Sequence, residues 1–228
     1  MSDRPFVLLS CATSVDGYID DMSHERLRLS NTADLDRLDA ARAGVDAILV
    51  GANTVRRDDP SLLIKSAARR AQRVARGLPE DLTKVTMTAG GDIDPGSRFF
   101  TTGTAPKIVY AAEDAAPVLA GRLGELATVV DMGTSVELPT LLADLAARGV
   151  RRLMVEGGGS VHTRFLTAGL VDEIHLVIAP FFVGDPGAPR FTHPGVFPQS
   201  PGRPMRLEEA RRIGEVAFLR YTMGNRRG

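Results

Sequence analysis

Leu153-Met154-Val155-Glu156-Gly157-Gly158-Gly159-Ser160-Val161 is the stretch on which the reading of this chain turns. Leu153 to Val155 is a short apolar run of the kind that forms a buried strand, and Val161 to Ala168 reads as a helix. Three successive glycines stand between them. A strand that turns into a helix through glycines exposes the amides of the helix start and lets backbone close on a ligand. That arrangement suits a phosphate or diphosphate. Glu156 places a carboxylate at the carboxyl end of the strand, where open α/β sheets bind ligands. A triple glycine can also be a plain loop, but its position between strand and helix argues for a ligand site. No Gly-Lys-Ser/Thr follows, so it is not a Walker A loop. No G-x-G-x-x-G follows the first strand, which disfavours a standard Rossmann site.

Outward from this turn, the elements alternate. Leu138, Leu141, Leu142 and Leu145 mark an amphipathic helix, with Pro139 in its first turn and Gly149 at its stop. Gly169 ends the helix after the glycines, and Glu173 to Ala179 is a further apolar strand. Gly184 to Pro204 is rich in Pro and Gly and reads as a long loop. Arg206–Ile213 and Glu215–Met223 form an antiparallel pair about Gly214. Towards the N-terminus, Phe6–Ala12 is a buried strand ended by Asp16-Gly17. Leu35, Leu38 and Ala41 lie on a helix capped by Asn31 or Thr32 and stopped at Gly44. Ala47–Val50 is a second buried strand closed by Gly51. Asn53–Leu63 carries charge and a proline and reads as a functional loop, and Ser66–Gly77 as an exposed helix. Val85–Met87, Lys107–Tyr110 and Thr128–Val130 are further strands. The expected fold is α/β: a mixed, mostly parallel central sheet with helices on both faces and an antiparallel C-terminal strand pair, in one domain over residues 1–228.

The 28 basic and 28 acidic residues cancel, which disfavours a broad nucleic-acid surface. The arginines of Ser66–Gly77 (Arg69, Arg70, Arg73, Arg76) read as a solvated face. Without Trp, and with 5% aromatic residues, a stacking platform for single strands is not expected. No apolar stretch has the length of a membrane span, and the N-terminus lacks a secretory pattern, so a cytoplasmic enzyme is expected. Cys11, the single cysteine, reads as a buried structural thiol. His24, His162, His175 and His193 stand without metal-ligand spacing and read as surface or satisfied histidines; no metal is expected.

Two further motifs sit at strand ends. Thr13-Ser14-Val15-Asp16-Gly17 would bring backbone and a hydroxyl to a cofactor, or simply end a strand in a turn. Gly51 to Pro60 sets Asp58 and Asp59 beside Arg56 and Arg57, either as a polar-ligand site whose carboxylate relays a proton or as a capped turn.

Together and in this order, Ser14–Gly17, Asp46–Gly51 with Thr54-Val55-Arg56 and Asp58-Asp59-Pro60, Val155–Gly158, Ala168–Ile174, and Ile178-Ala179-Pro180 with Gly184 resemble the reductase domain of riboflavin biosynthesis in stand-alone form. The resemblance runs from about Phe6 to Tyr221 and implies a dihydrofolate reductase-like fold, a homodimer and NADPH. It implies reduction of a phosphorylated aminopyrimidine's ribosyl group to ribityl, by hydride transfer from the nicotinamide to C1′. The substrate would be 5-amino-6-(5-phosphoribosylamino)uracil or its 2,5-diamino-pyrimidinone analogue. By position, Thr13, Thr54, Asp58 and Gly157, Gly158, Gly159, Ser160, Val161 would contact the coenzyme. Arg42, Leu62, Lys65 and Glu156 would contact substrate, with Asp58 and Glu156 at the reacting centre. Lys65 stands where the family commonly has arginine, and Thr88-Ala89 where it often has Asp-Ser. A dihydrofolate/pterin-type or specialised-metabolite reductase, or a non-catalytic NADPH-binding regulatory protein, are the rival readings on this scaffold.

Overall fold

The computed structural model describes residues 4–23, 25 and 27–224. Its elements run β1 (Phe6–Thr13), α1 (Thr32–Ala43), β2 (Ala47–Gly51), α2 (Ala52–Asp58), α3 (Ala67–Ala75), β3 (Thr83–Thr88), α4 (Arg98–Thr101), β4 (Lys107–Ala111) and α5 (Ala116–Leu123). They continue through β5 (Thr128–Asp131), α6 (Leu138–Ala147), β6 (Arg152–Gly157), α7 (Gly159–Thr167), β7 (Glu173–Ile178), β8 (Arg206–Ile213) and β9 (Val216–Thr222). The strand order is β5-β4-β3-β2-β6-β1-β7-β9-β8. Two compact units share the chain, one built from Asp39–Met154 and the other from Phe6–Leu38 with Val155 onward; their boundaries fall inside α1 and β6.

In the first unit β2, β3, β4 and β5 pair in parallel. Every residue of β2 is buried, so it shows a continuous apolar run rather than alternation. The α6 stripe of Leu138, Leu141, Leu142 and Leu145 is buried throughout, and each such leucine contributes roughly 2 kcal/mol over an exposed one. Asp46, just before β2, accepts the amides of Arg151 and Arg152, both at 2.8 Å, and so fixes where β6 begins. Two cations are buried here. Lys84 donates to the carbonyls of Phe99 (3.0 Å) and Thr102 (2.7 Å), satisfying carbonyls at the end of α4. Arg73 donates to the carbonyls of Pro79, Ala43 and Val45 at 2.7–2.9 Å.

The second unit pairs β1 with β7 in parallel, from Leu8↔Glu173 to Thr13↔Ile178, and adds β9 and β8 antiparallel. The β8–β9 connection is tight, Ile213 facing Val216. Gly214 supplies the positive φ of 59° that the turn needs. Asn31 serves two elements: its Oδ1 accepts the amide of Asp34 (2.9 Å), capping α1, and its Nδ2 donates to the carbonyl of Ile213 (2.7 Å). Val177, Val216 and Phe218 form a small core there. His175 is satisfied, with Glu173 at 2.9 Å and Arg37 at 3.4 Å.

The mixed, mostly parallel sheet and its antiparallel closing pair agree with the sequence reading. Four local expectations are corrected. Residues 53–58 are helical, in α2, because Ala52 and Val55 give that segment a buried side. Helix α3 is not wholly solvated, since Arg73 is 3% exposed. Helix α7 starts at Gly159, two residues earlier than read. Cys11 is only partly buried; desolvation still pushes its thiol pKa up and keeps it protonated. The reading of His24 lies outside the described residues.

Candidate active site

The glycine turn lies in the second unit. Gly157 ends β6 at a φ of 127°, the Gly157–Gly158 peptide is cis, and Gly158 is the N-cap of α7. No side chain caps this helix, and its first bond runs from the His162 amide to the Gly158 carbonyl at 3.0 Å. The amides of Gly159, Ser160 and Val161 therefore lack an intrahelical acceptor and carry the positive end of the helix dipole. Glycine is required at two places. At Gly157 the φ excludes most side chains, and a Cβ would stand 3.4 Å from the His162 ring. At Gly159 a Cβ would run into the backbone carbonyl of Arg190. The exposed Ser160 hydroxyl lies 3.2 Å from Nε2 of His193, whose amide donates to Thr163 Oγ1 at 2.8 Å. Glu156 is half-buried one residue before the strand's end.

His162 departs from its sequence reading. It is 1% exposed, and neither ring nitrogen makes a well-formed hydrogen bond among the described residues, the Phe191 backbone interacting with the ring only weakly. Burial pushes its pKa down to about 4, against the opposing pull of the Phe191 backbone and the Glu156 charge. At neutral pH the ring is therefore uncharged and adds no positive charge to the turn.

Thr13 ends β1, is 4% exposed, and accepts the Ala179 amide on its carbonyl at 2.7 Å. The following motif is a clasp. Ser14 donates to Asp16 (2.5 Å), while the Asp16 carboxylate accepts the amides of Val183 (3.1 Å) and Gly184 (2.8 Å). Desolvation raises the Asp16 pKa, but these hydrogen bonds outweigh it and hold the carboxyl below its usual range. Asp16 thus anchors the loop after β7.

The first unit carries the other sequence-read residues. Thr54 and Asp58 are four apart on α2 and share a helix face, both half-buried. Asp59 leaves the helix at a φ of 41°, and its carboxylate accepts the Arg98 amide at 2.5 Å. Arg56 donates to the Asp92 carbonyl at 2.6 Å. Of the four charged residues 56–59, Arg56 and Asp59 thus hold backbone elsewhere in the unit, at Asp92 and Arg98. Arg42, Leu62 and Lys65 do converge. Arg42 donates to the Leu63 carbonyl at 3.3 Å, Leu62 is buried at a φ of 51°, and Lys65 gives its amide to Asp39 at 2.5 Å. Asp39 was missed by sequence reasoning. Its partners lie 26–30 positions away, and no local pattern marks them.

A glycine-ended strand feeding an uncapped helix, in a parallel sheet closed by an antiparallel pair, defines a dihydrofolate reductase-like α/β protein. Solved structures bear this out. A pyrimidine reductase-like protein from Corynebacterium diphtheriae superposes with a TM-score of 0.83 at 23% identity, over 97% of this chain and 93% of that one. The riboflavin biosynthesis reductase Rib7 of Saccharomyces cerevisiae gives 0.73 at 19%, over 98% and 92%. The particular family follows from sequence: the chain belongs to the RibD C-terminal domain family, whose model matches residues 5–219. The 2,5-diamino-6-ribosylamino-4(3H)-pyrimidinone 5′-phosphate reductase of Archaeoglobus fulgidus is 36% identical over 213 residues, 93% of this chain and 95% of its own. That of Methanothermobacter thermautotrophicus is 32% identical, over 96% and 99%. By family the chain is an oxidoreductase of riboflavin biosynthesis, and such a reductase implies a nicotinamide cofactor. The glycine turn fits the anionic part of that group, because no side chain caps the first amides of α7. Among the described residues no helix is long and apolar enough to cross a membrane, and no group of three or more His, Cys, Asp or Glu is placed to hold a metal.

Proposed function

We propose that this protein is an NADPH-dependent reductase that converts the ribosyl group of 2,5-diamino-6-ribosylamino-4(3H)-pyrimidinone 5′-phosphate to ribityl, as a cytoplasmic homodimer. The uncapped glycine turn at Gly157–Val161 is the observation that carries the reading. It is supported by relatives of that name at 32–36% identity over nearly the whole chain. Gly158, Gly159, Ser160 and Val161 would hold the coenzyme's diphosphate by backbone amides, and Thr13 and Thr54 would flank the coenzyme. When bound, the reduced nicotinamide supplies hydride to the sugar's C1′. The protein's own share is orientation and proton control. Asp58, half-buried at the end of α2, polarises the sugar or relays its proton, and Glu156 orients the pyrimidine. Arg42, Leu62 and Lys65 take the phosphorylated end.

NADPH oxidation by purified protein tests the reading. Turnover of the diaminopyrimidinone phosphate, faster than that of 5-amino-6-(5-phosphoribosylamino)uracil and absent with dihydrofolate, is expected. Turnover of dihydrofolate alone, or NADPH binding with no turnover, refutes it. Asp58→Asn is expected to lower kcat by about 100-fold with little change in the NADPH Kd; equal loss of both would remove Asp58 from the reacting centre. Sedimentation and parallel assays with NADH decide the dimer and the coenzyme preference.

A further inference from the structure

Asp39 lies on α1 and is 5% exposed. Its Oδ1 accepts the Lys65 amide at 2.5 Å, and its Oδ2 accepts the Ser66 amide at 3.2 Å and Arg69 Nη1 at 2.9 Å. Desolvation raises its pKa, but these donors outweigh it and hold the carboxyl below its usual range. Three residues further along the same helix, Arg42 donates to the Leu63 carbonyl at 3.3 Å. One helix thus grips the segment 62–66 twice, by an acceptor aimed at its amides and a donor aimed at a carbonyl. Within that segment Leu62 keeps a left-handed φ of 51°, a conformation that persists only where the surroundings over-determine it. Its 3% exposed side chain is one anchor, and Asp39 supplies the next. Ser66 then caps α3 by accepting the Arg69 amide at 3.3 Å. Lys65 is left with its backbone clamped and its side chain exposed.

We propose that Asp39 is a positioning residue for the substrate's 5′-phosphate, acting through the clamped backbone of Lys65 and Ser66. It touches no substrate itself. The inference rests on the proposed function, in which Lys65 and Arg42 meet the phosphorylated end. Its physical logic lies in the lysine. A lysine is a point charge on a flexible stem, without the planar fork that lets arginine impose its own geometry. Where lysine must recognise phosphate, fixing the stem's origin removes freedom that binding would otherwise have to remove. The amide clamp does that.

The test compares the phosphorylated diaminopyrimidinone with its dephosphorylated form at saturating NADPH. Asp39→Asn keeps the shape but presents an amide to donors that need acceptors. It is expected to raise KM for the phosphorylated compound about tenfold, leave kcat within about twofold, and leave kcat/KM for the dephosphorylated compound within about twofold. Amide exchange at Lys65 and Ser66 should accelerate in the same variant. Asp39→Glu keeps the carboxylate and should restore most of the lost KM; it also serves should the asparagine variant fold poorly. In a Lys65→Ala background, Asp39→Asn should add less than about twofold. Equal KM rises for both compounds, or an unchanged KM despite faster exchange, would overturn the inference while leaving the proposed function standing. Wild-type protein that turns over neither compound defeats the proposed function, and this inference with it.

Discussion

Acidification from pH 7 to pH 4 is expected to cost this protein about 3 kcal/mol through one side chain, His162. The ring is 1% exposed and rests edge-to-face on Phe191, centroids 5.3 Å apart, with no well-formed hydrogen bond at either nitrogen among the described residues. Burial lowers its pKa from 6.5 to about 4. Between those values the unfolded chain carries a proton that the folded chain refuses. The unfolded state then binds more protons, so stability falls as pH falls through the window and levels off below about pH 4. At roughly 1.4 kcal/mol per pH unit, the gap gives the figure above. Carboxylates such as Asp39 also lose stability on acidification, but mostly below their unfolded value of about 4. A difference against a variant isolates the imidazole. His162→Leu removes two buried polar atoms that make no well-formed hydrogen bond, for similar volume, so at pH 7 it should lie within about 1 kcal/mol of wild type. Urea unfolding followed by circular dichroism at intervals from pH 7 to pH 4 should show wild type falling relative to the variant by about 3 kcal/mol. Parallel stability curves would refute the reasoning, because the ring would then be partnered or solvated in solution.

Two further outcomes follow from the geometry. Gly159→Ala forces a Cβ against the Arg190 carbonyl, a backbone atom that cannot swing aside; NADPH affinity by fluorescence titration should fall about tenfold or more, and unchanged affinity would remove the amides of α7 from coenzyme binding. Lys84, fully buried, has its pKa lowered by desolvation from 10.5 to about 8. Between these values the unfolded chain holds the extra proton, so this group adds stability as pH rises through the window; the wild type should gain on Lys84→Met from pH 8 to pH 10, and a constant difference would count against it.

The parts of the fold that were legible are those whose burial has a period. The α6 leucines and the continuous run of β2 announce their partners because each residue faces the interior in step with the backbone. Helix α2 was read as a loop for a physical reason. Only Ala52 and Val55 of its seven residues are buried, Gly51 offers no side-chain cap, and the charges before Pro60 resemble turn chemistry. Arg73 could not be told from Arg69 or Arg70 in sequence, because what separates them is carbonyls at Ala43 and Val45, about thirty positions away. His162 had a signal that was overlooked. It shares the stripe of Val161, Phe165 and Leu166, all buried, and a histidine at i, i+3, i+4 with apolar neighbours belongs to the interior.

On the proposed function, what would choose among reductions on this scaffold is charge at the substrate's far end, not the sheet. Structures at 19–23% identity share the architecture, and an architecture hosts many chemistries. On the same reading the glycine turn would discriminate no better, since backbone amides recognise an anion without reading the rest of the molecule. A pterin offers a flat ring; a ribosyl phosphate adds a dianion at a fixed distance from the reacting carbon. A protein built for the second needs cations whose positions are set before the ligand arrives. Segment 62–66 has that character: Arg42 tied to a backbone carbonyl, Lys65 exposed on a clamped amide, Arg69 paired to the same buried carboxylate. On the proposed reading, Lys65 and Arg42 are where specificity for a phosphorylated sugar resides, with Arg69 and Asp39 holding the segment that carries Lys65. A preference for the phosphorylated substrate that survives loss of both Lys65 and Arg42 would place that specificity elsewhere in the molecule.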